Sequence, residues 1–325
     1  MAVQGAEVVK TPTISTETRV SKRPLKAVLK MHWMMYVMLI PATVLLLLFQ
    51  FYPMWGILIA FKDYSPVRGF AESAWVGLEN FRLFFDSRNA TQILRNTVLI
   101  AVGKILFGQV MAVIFALMLN EVRLKWFKRG IQTMTTLPHF LSWVIVGGMM
   151  AQFLGSSGPI NQAFDALGMD KIRFLGKPQI FPWTLILSNV WKGFGFGSVV
   201  YLAALAAINP ELYEAAAVDG AGRFRRLWHV TLPGIRSTIV LMSSLALGGI
   251  LNAGFTQVLV LYNPLVMKTG DIIDTYVYRV GLVGSGGAPD FSLGTAVGLF
   301  KSGIGFILIL ISYWLADKFA NYRIF

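Results

Sequence analysis

Residues 209–233 form the stretch NPELYEAAAVDGAGRFRRLWHVTLP, which is polar and basic and lies between two long apolar segments. Asn209 can cap a helix, and Pro210 suits the first helical position, where its missing N–H would have no helical partner. Two glutamates in the first turns interact favourably with the positive end of the helix dipole. Asp219-Gly220 is a pair of residues typical of the end of a helix. The stretch therefore predicts a short helix that ends at Asp219-Gly220, followed by a basic segment.

The order of residues within this stretch also follows a defined spacing. Glu214-Ala215-Ala216 is followed after two residues by Asp219-Gly220-Ala221, and Val230-Thr231-Leu232-Pro233 closes the stretch. The spacing resembles the coupling loop of type I ABC importer permeases, whose short helix docks into a groove on a separate ATPase subunit. The alternative is an ordinary interfacial helix of a membrane protein. The resemblance implies that the docking residues are Glu211, Glu214, Ala215, Ala216, Asp219, Gly220, Ala221 and Pro233.

The composition places the chain in a membrane. Of its 325 residues, 55% are hydrophobic and only 14% are charged, which is too apolar for a soluble domain of this length. The chain has no cysteine, and its three histidines are far apart without ligand-like spacing, so we expect no metal site. The net charge of +13 does not indicate nucleic acid, because most basic residues are confined to particular segments between apolar spans.

Six apolar segments are each long enough to cross a hydrocarbon core, which takes about 20 helical residues. They lie near 34–60, 91–119, 131–153, 182–206, 236–260 and 293–316. The segments on the side of the two termini carry sixteen Lys and Arg, whereas the opposite segments carry nine, offset by nine acidic residues. The positive-inside rule therefore predicts cytoplasmic termini and a cytoplasmic loop at 207–235. We expect a basic cytoplasmic tail at 1–32 and an all-α transmembrane domain at 33–325.

The external segments contain Gly, Pro and Asn turn signals, which predict compact ordered loops. Trp75-Val-Gly-Leu-Glu-Asn-Phe81 resembles the first external loop of carbohydrate-import permeases. Asn263-Pro264 and the stretch from Asp271 to Arg279 resemble the branch of that family that handles polysaccharide fragments and uronate oligomers. The resemblance covers nearly the whole chain beyond the tail and is greatest to membrane subunits of alginate importers.

No residues form a catalytic constellation. The chain has no Gly-x-x-x-x-Gly-Lys-Ser/Thr loop for a nucleotide, and no His-Glu-x-x-His helix that would indicate a membrane protease. We therefore expect no catalytic residue and no cofactor in this chain. The resemblance implies that ATP and Mg²⁺ are bound by the partner ATPase.

Polar residues within the spans suggest a sugar-binding cavity. Lys192 and Lys301 lie about eight to ten residues from the external ends of their helices, a depth of roughly 12–15 Å, so they could share one layer. Charges at such depths usually face a protein interior or a wet path. Amides and aromatic rings nearby suit the hydroxyls and C–H faces of a sugar. The predicted cavity residues are Asn189, Trp191, Lys192, Asn252, Gln257, Tyr262 and Lys301.

Structural roles remain open for these residues. Each lysine could instead reach the external interface along apolar surface, and Lys104 could pair within a subunit interface. The glycines at 193, 195 and 197 indicate close helix packing or, alternatively, a hinge.

Taken together, these features predict a six-span permease subunit of an ATP-driven importer in a bacterial inner membrane. The resemblance implies four partners: a second related permease, an ATPase dimer, an extracytoplasmic solute-binding protein and an oligosaccharide. We expect an acidic oligosaccharide such as alginate oligomers. The alternatives are a neutral sugar, a nonsugar solute, or an ion-coupled secondary transporter, although the predicted spans lack carboxylates away from their ends.

Overall fold

The computed structural model describes residues 25–284 and 287–320. Most of the predicted tail at 1–32 thus lies outside the described residues. The described residues divide into two units, with the boundary between Trp55 and Gly56. Within the first unit, the helix Leu25–Leu46 continues into a π-helical turn, Leu47–Phe51.

The described residues are predominantly helical. The α-helices are α1 Leu25–Leu46, α2 Gly69–Glu72, α3 Glu79–Asp86, α4 Ala90–Glu121, α5 Lys125–Phe140, α6 Trp143–Phe153, α7 Pro159–Ala166, α8 Phe181–Ala206, α9 Pro210–Val218, α10 Arg223–Arg226, α11 Leu232–Gly234, α12 Arg236–Gly248, α13 Phe255–Leu261, α14 Met267–Gly270, α15 Ile273–Tyr278 and α16 Phe291–Ala320. Short π or 3₁₀ segments are Leu47–Phe51, Tyr52–Phe61, Leu227–Thr231, Pro264–Val266 and Arg279–Val283. Two short antiparallel strands, β1 Lys62–Asp63 and β2 Ala74–Trp75, pair with each other.

Four helical segments in the described part of the chain are long and apolar enough to cross a bilayer. They are Lys30–Phe61, Ala90–Glu121, Phe181–Ala206 and Phe291–Leu315. Two bent pairs, Lys125–Phe140 with Trp143–Phe153 and Arg223–Gly234 with Arg236–Gly248, also pass this test together. If each bent pair is one span, the total is the six crossings predicted from the sequence.

The predicted span 131–153 is divided by a sharp bend. The axes of α5 and α6 meet at 103°. Ser142 begins α6 as its N-cap, since its side-chain oxygen accepts a hydrogen bond from the Ile145 amide at 3.3 Å. A capping serine directly after the last turn of α5 starts a new helix in a new direction, which hydropathy alone does not reveal.

The predicted span 236–260 is also interrupted. Helix α12 ends at Gly248 and α13 begins only at Phe255, so residues 249–254 form a break between them. Gly254 has a φ of 87°, a backbone conformation that residues other than glycine rarely adopt. The second half of the predicted span is therefore a separate short helix.

Helices α4 and α8 pack against each other along most of their length and form the centre of the bundle. One apolar cluster joins them to the region around the break. Its buried members include Ile100, Leu185, Ala253 and Val258. A second cluster joins the other ends of α4 and α8 to the segment before α12 through Ala116, Tyr201 and Ile235. A third joins α3, α4, α15 and α16 around Phe84 and Ile273.

Helices α5 and α8 approach each other closely at Gly195. A Cβ atom at this position would overlap with the backbone carbonyl of Thr135. This confirms the close-packing interpretation for one of the three glycines, while α8 itself continues as one helix through all three. At Gly193, two residues earlier, no atom outside the adjacent residues and the backbone of α8 lies within 4 Å of the equivalent position.

We expect Gly195→Ala to destabilise the protein by about 1–3 kcal/mol, the usual effect of overpacking a contact that cannot move aside. Gly193→Ala is the matched control, because it makes the same change in the same helix without a clash. Thermal unfolding of the two purified variants checks the prediction. Equal melting temperatures would contradict it.

Candidate functional site

The predicted coupling helix is present as α9. Asn209 caps it, because its side-chain oxygen accepts a hydrogen bond from the Glu211 amide at 3.1 Å. Pro210 occupies the first helical position. The helix ends where Gly220 adopts a φ of 73°, and the Ala221 amide then bonds back to the Ala216 carbonyl at 2.9 Å. The local structure predicted from the sequence is confirmed.

The surface of this loop suits a protein partner. The helix is tied to the following segment by a hydrogen bond from the Tyr213 hydroxyl to Thr231 at 3.1 Å. Its other faces are exposed, including Glu214 and the apolar side chains of Leu212 and Val218. Phe224 is also exposed. Exposed apolar side chains grouped on a loop are typical of an interaction surface. That this surface binds an ATPase stays a prediction.

The predicted docking residues are distributed unevenly over the loop. Those exposed to solvent are Glu211, Glu214, Ala215, Asp219, Gly220 and Pro233, whereas Ala216 and Ala221 are partly buried. Glu211 also accepts a hydrogen bond from the Asn209 side chain at 3.0 Å, so this carboxylate takes part in the cap. Glu214 is therefore the better placed of the two glutamates to bind a partner.

The predicted cavity residues do not form one cluster. Lys301 and Asn252 are brought together, with the ammonium 3.0 Å from the Asn252 side-chain oxygen. The same ammonium lies 2.6 Å from the Asp274 carboxylate. Asp274 was not predicted as a site residue, although it lies within the stretch whose resemblance to carbohydrate permeases was noted.

Gln257 is fully buried, and its amide is used within the chain. Its nitrogen donates to the Leu185 carbonyl and the Ser188 hydroxyl, both at 2.8 Å, and its oxygen accepts from the Lys104 ammonium. Lys104 also donates to the Ala253 carbonyl. The structure thus gives Lys104 partners within its own chain, one of which is a residue that we predicted to line the cavity.

Tyr262 accepts a hydrogen bond from Arg279 at 2.8 Å, and Arg279 forms an ion pair with Asp271 at 2.6 Å. Burial lowers the pKa of the Arg279 guanidinium, but the hydrogen bonds and charge of Asp271 raise this pKa more, so the net shift is upward. Tyr262 is therefore part of a structural cluster on the external side of the predicted topology.

Lys192 is buried and has neutral partners. Its ammonium donates to the His139 carbonyl at 2.7 Å and lies 5.4 Å from the centre of the Trp143 ring. The His139 carbonyl belongs to the last turn of α5, at the negative end of the helix dipole. An ammonium has three N–H donors, and this bond uses one of them.

Asn189 and Trp191 line different cavities. Asn189 borders a cavity of about 230 Å³ between α4, α8 and α12, together with Lys104, Gln109 and Tyr201. Trp191 borders a larger apolar cavity of about 530 Å³ together with Trp183. Among the described residues, no three His, Asp or Glu side chains lie close enough together to hold a metal ion.

Comparison with known proteins shows the family. Residues 104–321 match the family model described as "Binding-protein-dependent transport system inner membrane component". The chain belongs to this family. It is therefore an integral membrane permease component of a binding-protein-dependent ABC importer, which confirms the predicted fold.

Three similar proteins extend this result. The permease is 45% identical to protein LplB of Bacillus subtilis over 300 residues, which cover 92% of this chain and 93% of LplB. It is 42% identical to the polygalacturonan/rhamnogalacturonan transport system permease protein YteP of the same organism, with 90% of each chain covered. It is 36% identical to a chain of a bacterial alginate ABC transporter solved in complex with an alginate pentasaccharide-bound periplasmic protein. The TM-score is 0.83, with 92% of this chain and 99% of that chain covered.

We expect Arg279→Ala to destabilise the permease by about 3–5 kcal/mol, because the Asp271 side chain, only 6% exposed, would lose its ion-pair partner. Arg68→Ala is the control, since it removes an ion pair to Asp63 whose side chains are 48% and 64% exposed. Exposed pairs contribute about 0–1 kcal/mol. The free energies of unfolding in a denaturing-detergent titration check this difference, and equal losses would contradict it.

Proposed function

We propose that this permease is one of two related membrane subunits of a bacterial inner-membrane ABC importer for acidic oligosaccharides. The observation that carries the proposal is the similarity over nearly the whole length to a membrane chain of an alginate importer. The similarity to a polygalacturonan/rhamnogalacturonan permease supports the same substrate class, because polygalacturonan and alginate are both polymers of uronic acids.

Besides the second permease, the proposed assembly contains two further kinds of subunit. An ATPase dimer would bind ATP and Mg²⁺, since the present chain has no phosphate-binding loop motif in its 325 residues. A solute-binding protein would deliver the sugar to the external face. The charge distribution in the sequence supports cytoplasmic termini and a cytoplasmic α9, where an ATPase could reach it.

In this mechanism the ATPase dimer closes around ATP and moves the two coupling helices together. The cavity then opens outward, receives the sugar from the binding protein, and returns to the inward state after hydrolysis. Glu214 would bind a basic residue of the ATPase groove, because its carboxylate is exposed on α9. Gly220 would permit the turn that ends the helix, since its φ is positive.

In this proposal, Lys192 is the main cation that binds the carboxylate of a uronate. Lys301 is paired with Asp274, which neutralises it in this conformation. Lys104 is buried and bonded to Ala253 and Gln257. Lys192 has neutral partners, and its remaining donors are sufficient to bind a carboxylate.

We expect Lys192→Met to reduce transport of uronate oligomers by about 10- to 100-fold, the equivalent of one charge-assisted hydrogen bond. Transport of any accepted neutral oligosaccharide, measured per assembled complex, should fall less than transport of the uronate oligomer, because it loses only the support that Lys192 gives to the bend at α5. The measurement is uptake into proteoliposomes that contain the complete importer, driven by ATP and the loaded binding protein. Lys192→Arg keeps the charge and the donor and serves as the control. If wild type transports neutral sugars equally well and Lys192→Met affects both alike, the acidic substrate is wrong but the importer stands.

Glu214→Ala tests the docking surface independently of the sugar. We expect the variant to lose sugar-stimulated ATP hydrolysis, because the contact that transmits movement between the subunits would be broken. Glu121→Ala is the control, since it removes another exposed carboxylate, at the end of α4, outside the coupling loop. Copurification of an ATPase with wild type is required; if none associates, the coupling role of α9 is wrong.

A further inference from the structure

The break between α12 and α13 is held by lysines from two other helices. A break in a membrane helix frees backbone groups that must find partners within the protein, because hydrocarbon offers none. Lys104, on α4, donates to the carbonyl of Ala253. Lys301, on α16, lies 3.0 Å from the side-chain oxygen of Asn252. Two adjacent residues of the break are therefore bound by lysines from α4 and α16.

The two lysines differ in their surroundings. Lys301 is neutralised by Asp274, and the side chains of this pair are 18% and 24% exposed. Lys104 is only 8% exposed and is bonded to two neutral oxygens. A Cβ atom added to Gly254 would lie 2.9 Å from its ammonium, so the backbone of the break is packed directly against the charge.

Gln257 extends this contact to a third helix. It lies in the first turn of α13, is fully buried, and accepts a hydrogen bond from Lys104. Its nitrogen donates to the Leu185 carbonyl and the Ser188 hydroxyl on α8. Both donor hydrogens and the oxygen of this amide are thus used. The start of α13 is fixed to α4 and to α8 at the same time.

The same lysine also borders the interior of the bundle. Lys104 lines the cavity of about 230 Å³ between α4, α8 and α12, as does Asn189. Helix α13 in turn packs against α6, the second half of the bent span. The position of the break is thereby connected to the wall of a cavity and to one of the bent spans.

We propose that Lys104 is a positioning residue for transport, which holds the break at 249–254 and, through Gln257, sets the position of α13. The position of α13 matters for transport, because α13 packs against α6 and Lys104 lines the cavity beside the break. Lys104 acts on Ala253 and Gln257 rather than on the sugar. The inference rests on the transport function of the permease and is independent of the substrate class.

The first test measures the break directly by hydrogen exchange and mass spectrometry, using the complete importer in lipid nanodiscs without substrate. In Lys104→Met we expect the amides of residues 249–257 to exchange about tenfold faster or more, while those of α9 exchange as in wild type. Lys268→Met is the matched control, because it removes an exposed lysine from the external segment after α13. No substrate is present, so an incorrect sugar assignment leaves this result interpretable.

The second test separates positioning from simple stability. Transport is measured per assembled complex, quantified by size-exclusion chromatography. We expect Lys104→Met to lower the maximum rate about tenfold and to leave unchanged the concentration of loaded binding protein that gives half this rate. Gln257→Met should have a similar effect. The double variant should be no worse than the more severe single variant, because both residues act through the same break.

Two outcomes would overturn the proposal. If the amides of residues 249–257 exchange in Lys104→Met at the same rate as in wild type, the lysine does not hold the break. Faster exchange with an unchanged transport rate per complex would show a structural role only. If Lys104→Met does not assemble, Gln257→Met, which keeps the lysine, is assessed by the same two measurements and the same criteria.

Discussion

The hydrocarbon core of a bilayer supplies no hydrogen bonds, so every interruption of a spanning helix needs partners from the protein itself. At two interruptions in this permease, a lysine binds one of the backbone carbonyls. Lys192 binds the last turn of α5 at the His139 carbonyl, and Lys104 binds Ala253 in the break after α12. A charge at the bilayer centre costs at least about 2.5–3.5 kcal/mol on insertion scales. A lysine beside an irregular backbone segment is therefore explained by the backbone carbonyl that its ammonium binds.

This use of lysine connects structure with transport. A permease that alternates between two states needs segments that can change conformation. Such segments leave backbone N–H and C=O groups unpaired, which costs free energy in the hydrocarbon core of a bilayer. A lysine side chain is long and flexible, so it can bind a carbonyl in one state and release it in another. Two uninterrupted apolar helices in contact have no hydrogen-bonding groups at their interface that can exchange partners between the two states. The Lys192 ammonium uses one of its three N–H donors on the His139 carbonyl, which leaves the donors that our proposal of an acidic substrate requires.

The loop around α9, residues 207–235, depends on interactions over much shorter distances in the sequence. Its helix is defined by local signals: a capping asparagine, a proline in the first turn and a glycine with positive φ at the end. These signals act between residues only a few positions apart, so the sequence was sufficient to predict them. Glu214 and the exposed apolar side chains are then presented outward by a helix whose geometry needs little support from the rest of the chain.

From the sequence alone it was possible to determine the membrane location, the six apolar segments, the all-helical class and α9, since hydropathy and capping depend on neighbouring residues. The depth of Lys192 and Lys301 could also be estimated. Their partners could not, because the Lys192 bond to His139 spans 53 positions and the Lys104 bond to Ala253 spans 149. The bend at α5, the break at 249–254 and the separation of the predicted cavity residues were decided by tertiary structure. Those features depend on which helices pack together, and hydropathy carries no information about that choice.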